Sequence, residues 1–322
     1  MYLVARIIAY AVVAYLCIKE QKTLLDNIDI DGFTYQILYI RGLVDIGINI
    51  SNLEPLLIVH YFRFLVAYPI DYIDHSNYNF LTPIVILLII EPLIKIFKTR
   101  QGKYFFLLLI VLPIFMSYRN ILVIAGIGYL VYYIKINKNP AYLLFSALLV
   151  NLSSGSVLVA IVCSLIFCRV YRVMDLRIIF YTIFLSISLL ISLTDKYMGF
   201  SLGESGYAAT EYGATGIFAI ITRSTIYVSV ITGNYFRAAI YFLVGVSALF
   251  SIIFASRHAH YRGYAVIFIA SLPVFLVEGL GVIALIIPIL LFLSADKLPF
   301  RLRAVALGQP GREALPNAAT QR

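Results

Sequence analysis

Residues 104 to 135 hold two apolar runs back to back, and the one charge at their junction is Arg119, in the string Met116-Ser-Tyr-Arg-Asn120. The first run follows a basic group (Lys95, Lys98, Arg100, Lys103) and the second closes on Lys135 and Lys138. Apolar runs of about 20 residues with basic ends suit membrane-crossing helices, because hydrocarbon leaves each backbone polar group to be satisfied within its own segment. Lysine and arginine collect on the cytoplasmic side, so two consecutive spans with basic outer ends meet on the opposite face. Arg119 therefore sits where topology asks for no cation. A guanidinium against hydrocarbon is costly unless an anion or a water-filled cavity receives it. It is either a snorkelling arginine at a helix end or one that binds an anion.

The chain is 62% hydrophobic and 13% charged, whereas soluble domains are about half apolar and about a quarter charged. It reads as an all-α polytopic integral membrane protein. Its 322 residues accommodate about ten transmembrane helices, at about 20 residues each. The net charge of +9 falls in short clusters between apolar runs, so it sets topology and no nucleic-acid partner is expected. Cys17, Cys163 and Cys168 lie in apolar segments without metal-ligand spacing, so neither a metal nor another cofactor is expected. With 25 tyrosines and no tryptophan, tyrosine forms the interfacial belt. The first apolar run, from Met1, has no small-residue cleavage site and reads as a retained span.

Residues 1–303 are expected to form one transmembrane domain, with long periplasmic loops at about 19–53 and 195–216 and a disordered cytoplasmic tail at 304–322. Residues 53–70 carry Glu54, His60 and Arg63, polar for a lipid-facing span, and are assigned to an interfacial or re-entrant helix. Residues 80–96 form a span with a kink at Glu91-Pro92. Asn151-Leu-Ser-Ser-Gly-Ser156 reads as a polar turn on the outer face, and Arg169, Arg172 and Arg177 mark the cytoplasm. The five glycines between residues 194 and 216 suit a lid.

On this topology Arg41, Arg63, Arg119, Arg223, Arg257 and Arg262 fall at the outer face or within membrane segments. So many guanidiniums there ask for a polyanion at the outer leaflet, and the arginine fork suits phosphate; a lipid pyrophosphate meets the demand. Structural pairing with Asp26, Asp31, Glu54 and Glu278 is the alternative. Asp31, Glu54, His258, His260 and Glu278 are the acid–base candidates. His258 and His260 are two residues apart, about 200° on a helix, so they do not make a metal pair there.

Several strings, in order, resemble the EpsG-like branch of Wzy-type polysaccharide polymerases. They are Asp31-Gly-Phe-Thr-Tyr35 with Tyr39, Glu54-Pro-Leu-Leu57, Tyr118-Arg-Asn-Ile-Leu-Val-Ile-Ala125 with Tyr129 and Lys135, and Ser153-Ser-Gly-Ser156. The resemblance covers about the first half of the chain. Those proteins show an Asp-Tyr-x-x-Tyr loop, a Glu-Pro helix start, an Arg-Gln-x-x-Ala helix start and a His-x-Ser turn; this sequence has Asn120 for the glutamine and Ser153 or Ser154 for the histidine.

The resemblance implies a GT-C-like, metal-independent glycosyltransferase of the bacterial inner membrane with a periplasmic active site. It would move a growing glycan from one undecaprenyl pyrophosphate to the sugar of another, building O-antigen, capsule or exopolysaccharide, with a chain-length regulator (co-polymerase) as a possible partner. In that setting the six arginines would hold the pyrophosphate, Asp31, Glu54, His258 or His260 would serve the acceptor hydroxyl, and Tyr35, Tyr118, Asn120, Ser154 and Tyr207 would contact the glycan. A lipid-glycan transporter or flippase, or an outer-leaflet glycan ligase, uses the same features; transporters often carry internal repeats, and none is found here.

Overall fold

The computed structural model describes residues 2–20, 55–74, 78, 80–97, 103, 106, 107, 109–111, 118–171, 175–202, 230, 231, 233, 235–258 and 261–277. Among them the regular elements are all helical and no strand occurs. In chain order these are α1 (Tyr2–Glu20), α2 (Pro55–Asp74), α3 (Leu81–Ile90) with a 3-10 extension Glu91–Ile96, α4 (Tyr118–Lys135), α5 (Pro140–Val150), α6 (Ser154–Tyr171), α7 (Leu176–Leu202), α8 (Tyr235–Arg257) and α9 (Arg262–Val277).

α4 is the centre. From Asn120 to Ile134 almost every side chain is buried, as expected of a helix that is apolar all round and packed on all sides. It packs mainly on α5, and also on α3 and α6. The close approach to α5 rests on Gly126, where an added Cβ would lie 2.9 Å from Leu149 Cβ and 3.0 Å from the Val150 backbone nitrogen. Two residues on, about 200° round the helix, a Cβ at Gly128 would meet Leu93 Cδ1 at 2.7 Å, so glycine also admits the 3-10 segment on the opposite side.

Pro92 explains that segment. Proline has no N–H to donate and crowds the preceding turn, which ends regular α-helix. The helix tightens from Glu91, and the Tyr129 hydroxyl of α4 donates to the Ile89 carbonyl beside the break. α5 begins on a well-formed cap: the Asn139 side chain accepts from Ala141 N–H at 3.0 Å, and Pro140 occupies the first turn. Asn151, Leu152 and Ser153 then turn the chain into α6.

Among the described residues two helices, Ser154–Tyr171 and Leu176–Thr194, are long and apolar enough to cross a membrane; Tyr2–Tyr15, Pro140–Val150, Phe242–Arg257 and Arg262–Leu272 are apolar but shorter. α7 leaves Leu176, Phe180, Ile183, Ile187 and Leu190 exposed, and α8 leaves Phe242, Leu243, Leu249 and Phe250. Such apolar flanks suit hydrocarbon better than water.

Three stretches take a more specific form in the structure. The 53–70 stretch, expected to lie in the interface or dip back, forms most of α2, which is 20 residues long, about 30 Å, and packs on α7, α3 and α5. Its polar residues His60 and Arg63 are buried. The Asn151–Ser156 turn is buried throughout instead of facing outward, because α5, at 11 residues, reaches only about 16 Å. The loop expected from residue 195 begins later, since α7 continues to Leu202. The remainder of that loop, most of 19–53 and the tail 304–322 lie outside the described residues.

Candidate functional site

One end of the bundle is basic. The Tyr133 hydroxyl donates to Asp175 Oδ2 at 2.6 Å, the Arg177 guanidinium reaches the Lys138 carbonyl at 3.2 Å, and Lys135 lies 5.5 Å from the Phe167 ring centroid and 5.4 Å from that of Tyr171. These contacts bring the end of α4, the start of α5, the end of α6 and the start of α7 together, and with them Lys135, Lys138, Arg169 and Arg177. The Tyr133 hydroxyl, then the Arg177 N–H, hold the Asp175 carboxyl below the usual carboxylate range. Burial lowers the Lys138 ammonium.

α7 rises from that end, and 13 residues beyond Asp175 its Ser188 hydroxyl donates to Asn151 Oδ1, about 20 Å up the helix. There Arg63 enters from α2. Its Nε donates to the Asn151 carbonyl at 2.8 Å and its Nη2 to Ser192 Oγ at 3.1 Å. Asn151 Nδ2 returns to the Ala147 carbonyl at 2.7 Å, and Ser156 Oγ donates to the Ser153 carbonyl at 2.6 Å. His60, Ser153 and Ser154 are buried here too. The chemistry is that of a helix end: the last carbonyls of α5 lack intrahelical donors and carry the negative pole of the helix, and a guanidinium answers both.

The head of α4 lies on this side as well. Arg119 is 14 residues before Tyr133, about 21 Å from the basic end. It is partly exposed, but its Nε is buried and has no hydrogen-bond partner among the described residues. The next residue, Asn120, is 6% exposed and its Oδ1 is likewise unpartnered. Tyr118 flanks them, half-buried.

A second charged feature joins α1 to the α3 break, where Arg6 Nη1 lies 3.2 Å from Glu91 Oε1. Arg6 Nε and Glu91 Oε2 are buried there and have no hydrogen-bond partner among the described residues. The elbow between α8 and α9 exposes Arg257, His258 and Arg262. The His258 ring stacks on Phe254 at 4.2 Å with Nδ1 2.8 Å from the Phe254 carbonyl, and Arg262 Nε donates to the Ser256 carbonyl at 3.3 Å.

The structure thus brings Arg63 to the turn that opens into Ser154, and sets Tyr118, Arg119 and Asn120 in one turn of α4. Asp31, Tyr35, Arg41, Glu54, Tyr207, Arg223 and His260 lie outside the described residues. Among the described residues no group of three His, Cys, Asp or Glu side chains is placed to hold a metal ion. Asn151 and Ser192 were missed as partners of Arg63, and Ser188 as the partner of Asn151. Their signal was present: His60 and Arg63 at i, i+3 and Ser188 and Ser192 at i, i+4 put two polar pairs on single helix faces.

No protein-family profile, no curated protein and no solved structure matches this chain.

Proposed function

We propose that this chain is a multi-pass membrane glycosyltransferase that polymerises undecaprenyl-pyrophosphate-linked oligosaccharide repeats at the periplasmic face of the inner membrane. The supporting observation is the buried Nε of Arg119, without a partner among the described residues, at the opposite end of α4 from Lys135. A guanidinium edge desolvated without a described partner suits an incoming anion. The resemblance of the Tyr118–Ala125 string to the polysaccharide polymerases supplies the chemistry.

In the reaction, C1 of the donor's reducing sugar forms a bond to an acceptor hydroxyl oxygen and its bond to the pyrophosphate oxygen breaks. The lipid pyrophosphate leaves with the bonding electron pair, and the hydroxyl proton passes to a base. Arg119 stabilises charge growing on the leaving group; an interaction stronger in the transition state than in the ground state accelerates the step. Glu54, directly before α2, and Asp31 are the carboxylates proposed as the base.

The test is reconstitution of the purified chain in liposomes with an undecaprenyl-pyrophosphate-linked repeat unit. The reading predicts a ladder of polymer with one undecaprenyl pyrophosphate released for each linkage. Passage of intact substrate across the bilayer without release would favour a transporter and contradict it.

A further inference from the structure

Arg119 Nε and Asn120 Oδ1 are buried, unpartnered among the described residues, and opposite in kind. Nε carries a hydrogen and asks for an acceptor; Oδ1 has lone pairs and asks for a donor. Leaving either unmade costs stability. A bare phosphate or pyrophosphate, ionised at neutral pH, offers acceptors in plenty and suits Arg119, yet has nothing for Asn120. The ligand that satisfies both carries an O–H or N–H close beside its phosphate.

We propose that Arg119 and Asn120 together read a glycosyl phosphate, Arg119 taking a phosphate oxygen and Asn120 accepting a hydrogen bond from the hydroxyl or acetamido N–H on the carbon next to the anomeric centre. This rests on Arg119 as the pyrophosphate contact and adds a residue that recognises the first sugar. At 6% exposure Asn120 is desolvated enough to discriminate, since a buried acceptor built for a donor rejects a ligand that lacks it. Phosphatidylglycerol and phosphatidylethanolamine also hold a donor near a phosphate, so they form the control arm.

The full chain in phosphatidylcholine nanodiscs is titrated with farnesyl pyrophosphate, with farnesyl-pyrophosphoryl N-acetylglucosamine, and with the latter against added phosphatidylglycerol or phosphatidylethanolamine. The expected preference for the glycosylated probe is about three- to tenfold, the worth of one neutral hydrogen bond. Asn120→Leu should abolish that preference while leaving the bare pyrophosphate affinity unchanged; Arg119→Lys should weaken both probes; neither phospholipid should compete. Asn120→Ser, smaller and polar, serves as the second variant if the leucine lowers the yield of folded protein. A preference that survives both Asn120 variants, effective competition by either phospholipid, or higher thermal stability of Asn120→Leu with unchanged affinities would each overturn the proposal. Polymerisation failing while the affinities follow the expected pattern would support the site and remove the transferase reading alone.

Discussion

The Nε of Arg63 donates to the backbone carbonyl of Asn151 at 2.8 Å, tying α2 to the end of α5 across 88 positions of sequence. The same guanidinium reaches Ser192 on α7. Arg63→Met keeps an extended side chain but removes both bonds and leaves a buried carbonyl orphaned, which costs about 1–3 kcal/mol. Thermal unfolding in detergent should show a lower midpoint, with substrate binding by the folded fraction preserved. An unchanged midpoint would mean that the clamp does not hold the helices.

Glycine spacing on α4 gives a second ordering. An alanine methyl at Gly126 meets the Val150 backbone nitrogen at 3.0 Å, which moves only with α5, whereas at Gly128 it meets the end of the Leu93 side chain. Gly126→Ala should cost about 1–3 kcal/mol, the range for an overpacked core, and Gly128→Ala less. The two midpoints compared side by side check the order.

The buried turn predicts chemical accessibility. Ser154 is 2% exposed, whereas Asn139 caps α5 at the exposed basic end. A cysteine at 139 should react with a membrane-impermeant maleimide from the cytoplasmic side only, while one at 154 should stay unmodified from either side until the protein unfolds. Rapid labelling at 154 from outside would place the turn at the surface.

Those contacts mark how far the sequence alone reaches. Helices and their basic ends were legible, because apolar runs between Lys135, Lys138, Arg169 and Arg177 leave a chain in lipid few other choices. Depth was not legible. Hydropathy treats the 11 residues of α5 like the start of a longer span, and nothing local says that Asn151 will be met by an arginine on another helix. Arg63 therefore read as a ligand for phosphate, while two of its nitrogens serve Asn151 and Ser192. Arg119 stood out in sequence because it lacked a nearby acid, and its buried Nε has no partner among the described residues.

At the basic end, pH dependence follows from Asp175. Its folded pKa lies below the ordinary value of 3.8, chiefly through the Tyr133 hydroxyl. A depressed carboxyl stabilises the fold above its unfolded pKa and loses that contribution as pH falls through the folded one. Tyr133→Phe removes the main cause. The midpoint gap between parent and variant should be constant above about pH 5 and narrow below about pH 4. A gap that is flat down to pH 3 would assign the Tyr133 effect to packing.

Arg119→Lys tests the central claim most directly. Lysine keeps the charge, so a residue that only snorkels tolerates the change, whereas a phosphate contact loses the second donor and the planar geometry of the fork. A hydrogen bond to a charged group is worth about 1.5–3 kcal/mol, or roughly one to two decades in rate when realised in the transition state. The measurement is the initial rate of undecaprenyl pyrophosphate release from the lipid-linked repeat unit by the reconstituted variant, at matched protein and matched thermal midpoint. The predicted result is a fall of about ten- to a hundredfold. A rate equal to that of the parent protein would contradict the account and make Arg119 a topological anchor.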